Sequence, residues 1–207
     1  MKRKTSFLIA SAIAAAALPA IAQMPTTPPG APEISRVLPG SYVVESSHTQ
    51  VAFRVNHLGF SFYHGIFGDI TGSMTIDPKV PNKAKVSIEI PIAKIQTTST
   101  ALNEHLQKPE FFDAAKFPTA HFESTSVVAH GMKARISGKL TIKGITKPVV
   151  LDTQFVGAGK SMMGAEAAMG FTATTTIKRS DYGISYGIPL VPDEVPLVIE
   201  AAFEKAK

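Results

Sequence analysis

The 207-residue chain contains no cysteine and no tryptophan. Without thiols there is no disulfide framework, no thiolate metal site and no thiol redox chemistry, so stability must come from a packed core. A strong charge bias is also missing. The 21 basic residues stand against 16 acidic ones, and Lys2, Arg3 and Lys4 sit at the extreme N-terminus, leaving 18 against 16 beyond them. With no Lys/Arg cluster and no basic-aromatic interleaving, this balance argues against a nucleic-acid partner. The apolar run from Phe7 to Leu18 falls short of the roughly 18 residues a membrane span needs.

What the N-terminus does carry is a targeting pattern. Basic Lys2 to Lys4, apolar Phe7 to Leu18 and the small-x-small triplet Ala20-Ile21-Ala22 read as a secretory signal peptide over residues 1–22. Cleavage before Gln23 and export are the expectation. Met24 to Pro39 holds five prolines and almost no apolar pattern. A Pro-rich extended linker is therefore expected over 23–39, followed by one folded domain over 40–207.

From Tyr42 onward the chain alternates with the period of a strand. Val51, Phe53 and Val55 share one face, with Ala52, Arg54 and Asn56 on the other. Ile66, Ile70, Met74 and Ile76 form one phase of a second run, and Phe67, Asp69, Thr71, Ser73 and Thr75 the other. Gly68 and Gly72 inside that run predict bends or bulges. Val86, Ile88, Ile90 and Ile92 alternate with Ser87 and Glu89, and Pro91 marks a bulge or an edge. Ala120 to Val128 reads as a strand of undetermined phase. In Lys133 to Lys143, Ala134, Ile136, Leu140 and Ile142 oppose Arg135, Ser137, Lys139, Thr141 and Lys143. Pro148 to Val156, Phe171 to Lys178 and Val195 to Glu204 complete about eight strands.

One stretch breaks the pattern. Leu102 to Phe122 carries a short helical signal, two prolines and four phenylalanines, which predicts a helix over about 100–107 ending before Pro109. Short connections favour antiparallel neighbours, whose apolar faces are buried either in a sandwich or in a closed barrel. Periodicity does not separate the two; a single helical interruption suits a barrel better, because a barrel has an end to cover.

Ser47-His48-Thr49, Phe53 to Gly59, Gly65-Ile66-Phe67, His105-Leu106, Phe111-Phe112-Asp113 with Lys116-Phe117-Pro118, Gly138 to Gly144 and Arg179 to Gly183 together resemble the YceI-like family of exported lipid-binding proteins. The likeness runs in order from Tyr42 to Lys205. Tyr42 and Glu45 depart from the family's frequent Trp and Asp. The resemblance implies an all-β, eight-stranded antiparallel lipocalin-like β-barrel with an apolar pore, located in the periplasm and associated with polyisoprenoid ligands of quinone or prenyl type. No resident cofactor is implied beyond such a bound lipid.

For a pore of this kind the inward phases nominate Phe53, Val55, Ile70, Met74, Ile88, Ile90, Ile136, Leu140 and Ile142 as wall, and Phe112 from the cover. The same residues also suit a solid core. His57, Asn103 and His105 are placed at the mouth, where they suit a quinone carbonyl or a head-group oxygen. Phe111, Phe112 and Phe117 read as an apolar plug or a ligand gate, and Lys108 and Lys116 as solvated or as phosphate-attracting. An exposed apolar rim would call for a homodimer or transient membrane contact.

Patterns of catalysis are weak. Gly183-Ile184-Ser185-Tyr186-Gly187 matches a nucleophile elbow, but Pro189 and Pro192 oppose the following helix and no histidine lies beyond His130. Gly159-Lys160-Ser161 lacks the first glycine of a phosphate loop, since Gln154 stands there. No catalytic residue is assigned. The six histidines show no metal-ligand spacing, so no metal residue is assigned either. A histidine-dependent metal-binding or redox accessory protein is the alternative to a lipid carrier.

Overall fold

A computed structural model describes residues 26–207; the signal-peptide pattern over residues 1–22 lies outside them. Eleven strands form one antiparallel sheet. They are β1 (Gly40–Val44), β2 (Gln50–His57), β3 (Ser61–Phe67), β4 (Thr71–Ile76), β5 (Lys85–Pro91), β6 (Ile95–Gln96), β7 (Thr119–His130), β8 (Lys133–Ile142), β9 (Ile145–Gly159), β10 (Ala168–Lys178) and β11 (Glu194–Lys205), with helix α1 (Thr100–Leu106) between β6 and β7. Because β1 pairs with both β4 and β11, the order β1-β4-β5-β7-β8-β9-β10-β11 closes on itself. The result is the expected eight-walled antiparallel barrel with a short helical cover.

Local chemistry sets the ladders. The loop between Ile142 and Ile145 is only Lys143-Gly144, both at positive φ (52° and 75°), the geometry of a primed turn whose twist matches that of the flanking strands. The first three walls behave differently, because each is two strands laid end to end. β1 and β2 both pair with β11, one at each end of it. Their junction is the 3-10 turn Ser46–His48, capped by the Glu45 carboxylate, which accepts from the Ser47 and His48 amides. Thr49 then crosses to Ala202, donating to its carbonyl and accepting from its amide.

The second wall breaks between β3 and β4, where Asp69 has φ 51° and pairs with Lys94 at 2.6 Å. Lys94 belongs to the 3-10 turn Ile92–Lys94, which breaks the third wall between β5 and β6. β6 pairs with β3 alone, so no ladder joins β6 to β7. The Thr97–Pro118 segment with α1 occupies that seam. One half of the barrel is thus laddered all round, and the other half is closed partly by a helix and loops.

These breaks correct the strand phases. A strand keeps its inward face only while its register is uninterrupted. Phe67 is buried and Ile66 is exposed, the reverse of the expected phase, because the irregular residues Gly68 to Ile70 flip the alternation before Ile70 and Met74 turn inward. The undetermined phase of β7 has the same origin. Its register shifts between Ser124 and Ser126, so Ala120 and Phe122 face in on one side of the bulge and Val127 on the other.

The proline-rich segment also differs from the extended tether expected ahead of Gly40. Ala31 forms a two-way backbone bridge with Ala158 at 3.0 and 2.9 Å. Ile34–Arg36 is a 3-10 turn, and Val37 is buried beside Tyr42, Met74 and Phe155. Too few apolar residues stand between the prolines to show a period, yet Val37 is enough to dock the segment across the end of the barrel opposite α1.

Candidate functional site

α1 begins at Ser99, whose side chain accepts from the Leu102 amide. Seven residues are too few for a helix to stand alone, and tertiary contact holds this one. Its Leu102 and Leu106, one turn apart on the same face, look into a cavity of about 580 Å³ between the barrel walls. Val51, Phe53 and Val55 of β2, Phe67 of β3, Ile90 of β5, Leu140 and Ile142 of β8, and Val195 and Leu197 of β11 supply its sides. Phe111 and Phe112 close it beside the helix. Phe112 stacks edge-on to Phe67 at 5.6 Å, and Phe67 lies 5.9 Å from Phe53.

The opposite rim is the loop after β10. Arg179, 8% exposed, organises it through four hydrogen bonds to backbone carbonyls. Nε donates to Pro192 at 2.9 Å, Nη1 to Ile184 and Tyr186 at 3.2 and 2.7 Å, and Nη2 to Val191 at 2.8 Å. Burial pulls the guanidinium pKa below its ordinary value. Asp193 secures the same loop: it accepts from the Ser180 hydroxyl at 2.7 Å and amide at 2.8 Å, and these bonds hold its carboxyl below the usual range. Ile184 and Val191, brought in by this clamp, line the cavity along with Arg179 and Tyr182.

Of the residues nominated from sequence, Phe53, Val55, His57, Ile90, Phe112, Leu140 and Ile142 line this cavity. Met74 and Ile136 instead line a second cavity of about 240 Å³ at the opposite end, beneath Ile34 and Val37. Thr153 also borders that second cavity, and its buried Oγ1 has no partner among the described residues. Ile70 is fully packed in the core, and Ile88 packs against the residues of both ends. Beside Ile88, the Phe122 ring lies over Gly138, where a Cβ would fall 2.3 Å from it. The middle of the barrel is solid there.

The expected grouping of His57, Asn103 and His105 at one mouth is not what the fold assembles. Asn103 Oδ1 accepts from the Thr97 amide and hydroxyl at 2.8 and 2.7 Å, fixing the turn before α1. His105 pairs through Nε2 with Glu110 at 2.9 Å and stacks edge-on against Phe111 and Tyr186 at 5.0 and 5.4 Å. It therefore supports a lining residue from behind. Only His57 of the three reaches the cavity, at its exposed rim.

Phe111 and Phe112 form wall, while Phe117 packs outside, against Gly144 of the β8–β9 turn. Lys108 and Lys116 are not among the lining residues. Ser185 sits in a turn that leads to the Ile188-Pro189 segment rather than into a helix. Among the described residues no three His, Asp or Glu side chains converge as a metal site; His48, His105 and His121 each pair with a single glutamate.

Sequence reasoning passed over Arg179, Tyr182, Ile184 and Val191. The available signal was the Arg179 to Gly183 motif ahead of a proline-rich loop, since a lone arginine between apolar strands needs acceptors wherever it is buried.

Known proteins share this architecture. The sequence profile of the YceI-like domain matches residues 42–203. Protein YceI of Salmonella heidelberg is 39% identical over 155 residues, 75% of this chain and 81% of its own length. A UPF0312 protein of Pseudomonas aeruginosa is 38% identical with the same coverage. Among solved structures, the YceI protein of Campylobacter jejuni aligns with a TM-score of 0.63 at 29% identity, covering 73% of this chain and 90% of that one. A polyisoprenoid binding domain from Saccharophagus degradans aligns at 0.62 and 13% identity, covering 80% and 98%, a likeness of fold. With its profile match and these relatives, the chain belongs to the YceI-like family.

Proposed function

We propose that this protein is an exported, periplasmic binding protein that sequesters a polyisoprenoid or similar long-chain lipid, of quinone or prenyl type, and catalyses no reaction. The observation that carries this reading is the 580 Å³ cavity inside the barrel, walled by aliphatic and aromatic side chains from seven strands, α1 and the Arg179 loop. The signal-peptide pattern supports export, and the description of the Saccharophagus degradans neighbour as polyisoprenoid-binding supports the ligand class.

Transfer of a prenyl tail from water into such a space gains about 0.8 kcal/mol per buried methylene. That gain must exceed the ordering and translational cost of binding, which a chain of many carbons achieves without a specific polar contact. Phe60 and Leu190, 87% and 69% exposed, sit on the β2–β3 hairpin and on the Arg179 loop, the two segments that rim the cavity. Apolar tips there suit transient contact with a lipid surface during loading; a homodimer is the other way to cover them.

The test is native purification from the protein's own periplasm, organic extraction, and mass spectrometry beside elemental analysis of the intact protein. A stoichiometric prenyl lipid is expected. Lipid-free protein carrying a stoichiometric metal would overturn the reading in favour of the histidine-dependent alternative.

A further inference from the structure

The barrel buries two tyrosines completely, one at each end: Tyr42 is 0% exposed and Tyr182 is 1% exposed. Their hydroxyls differ. Tyr42 donates to the Leu38 carbonyl at 2.7 Å, as a buried phenol ordinarily does. Tyr182 has no hydrogen-bond partner among the described residues. The one buried side-chain atom there sealed off from both a partner and open space is Thr153 Oγ1, so the Tyr182 hydroxyl keeps its residual surface. The space Tyr182 borders is the 580 Å³ cavity.

The other polar side chains on that wall are committed or lie at the rim. The Tyr63 hydroxyl bonds Thr98 at 3.0 Å, Ser99 caps α1, Arg179 holds four carbonyls, and His57 and Ser61 are exposed. Resting on the lipid-carrier reading, we infer that Tyr182 anchors the polar end of the ligand, donating its hydroxyl hydrogen to a neutral oxygen acceptor such as a carbonyl, while the tail runs toward Ile88 and Phe122.

The electrostatics favour a neutral acceptor. Burial, and after it the Asp181 carboxylate, push the Tyr182 pKa up to about 12, so the phenol stays a donor at all ordinary pH. The same surroundings penalise a negative charge placed beside it. A diphosphate head group is thereby disfavoured. Arg179 acts here as a positioning residue: it lies at the start of the same 3-10 turn, Arg179–Tyr182, and fixes the loop that follows.

The experiment compares the intact mature protein with Tyr182→Phe, an isosteric change, against three probes: a short-chain ubiquinone, squalene and farnesyl diphosphate. Binding is read by displacement of an apolar fluorescent dye, with thermal melting to verify the fold. Loss of one net hydrogen bond predicts about 3- to 10-fold weaker ubiquinone binding in the variant, unchanged squalene binding, and wild-type preference for ubiquinone over farnesyl diphosphate. Equal weakening of all probes, or no weakening of ubiquinone, overturns the anchor. Wild-type protein that binds none of the three overturns the carrier reading itself. As a second readout that needs no variant, the Tyr182 carbon bearing the hydroxyl should shift in the NMR spectrum on adding ubiquinone and stay in place with squalene; the same shift with both overturns the assignment.

Discussion

The two ends of this barrel are built from the same kinds of residue, yet the interior cavity at one is less than half the size of that at the other. At the strap end, Phe155 lies 5.7 Å from Phe171, and Phe171 lies 6.1 Å from Phe203. These rings pack with Tyr42, Met74, Met169 and Val37, leaving about 240 Å³. At the helix end the aromatic rings stand in the wall, and the inward positions are largely aliphatic, around about 580 Å³. Closure differs as well. The end under Val37 is sealed by backbone ladders and the docked Ala31 to Leu38 segment, whereas the helix end depends on a seven-residue helix and a loop held by the Arg179 guanidinium and the Asp193 carboxylate. The Arg179 clamp instead holds the loop together through its own carbonyls.

The sharpest way to break that contrast is to remove equal rings from both ends. Phe155→Ala should cost about 4 kcal/mol, because its ring packs on Phe171 in a buried cluster and borders only the smaller cavity, whereas Phe112→Ala, which borders the larger one, should cost about half as much. Chemical denaturation of both variants checks the ratio, and equal costs would mean that the helix end is as well packed as the strap end.

Arg179→Ala should follow at about 3 kcal/mol, because four carbonyls lose their donor together. Hydrogen exchange should quicken across residues 183–193 and remain unchanged in β9. Uniform exchange across the barrel would assign Arg179 to global stability rather than to the rim.

The buried tyrosines give a smaller effect of unequal size. Tyr42→Phe should lose about 1 kcal/mol, the net value of its bond to Leu38, and Tyr182→Phe should be close to neutral in the ligand-free protein. Thermal melting of the pair decides this.

The smallest effects are those of pH, and they fall in two separate windows. The Asp193 carboxyl titrates below its unfolded value, so its contribution is complete at neutral pH and is lost as the pH falls below about 4. Ser180→Ala should flatten that acid limb. Tyr182, raised from 10.0 to about 12, binds its proton more tightly in the folded state. Its contribution is therefore complete below pH 10 and declines between about 10 and 12. The alkaline limb should be weaker in Tyr182→Phe, as followed by circular dichroism against pH.

Much of the fold was legible because strand alternation and the stop imposed by a proline are local. β2, β8 and β11 show their inward faces in a few consecutive residues, and Pro109 marks where α1 must already have ended. The likeness spread over seven motifs carried the barrel and the family. What alternation does not encode is its own interruption. The flip between Phe67 and Ile70, the bulge at Thr125 and the docking of Val37 through a proline-rich stretch each depend on partners far away in the chain.

The candidate site divides along the same line. Phe53, Val55, Ile90, Leu140 and Ile142 turn inward by a period-two rule, so the sequence alone determined an apolar interior. Whether that interior is full or hollow depends on the summed volumes of side chains brought together from strands more than a hundred residues apart, and only the tertiary structure decided that the hollow lies beneath α1. It also decided which polar groups are already committed: Asn103 Oδ1 accepts from Thr97 and His105 pairs with Glu110, while Tyr182 borders the cavity with no hydrogen-bond partner among the described residues. A hydrogen bond is a property of two partners at close range, and a sequence names only one of them at a time.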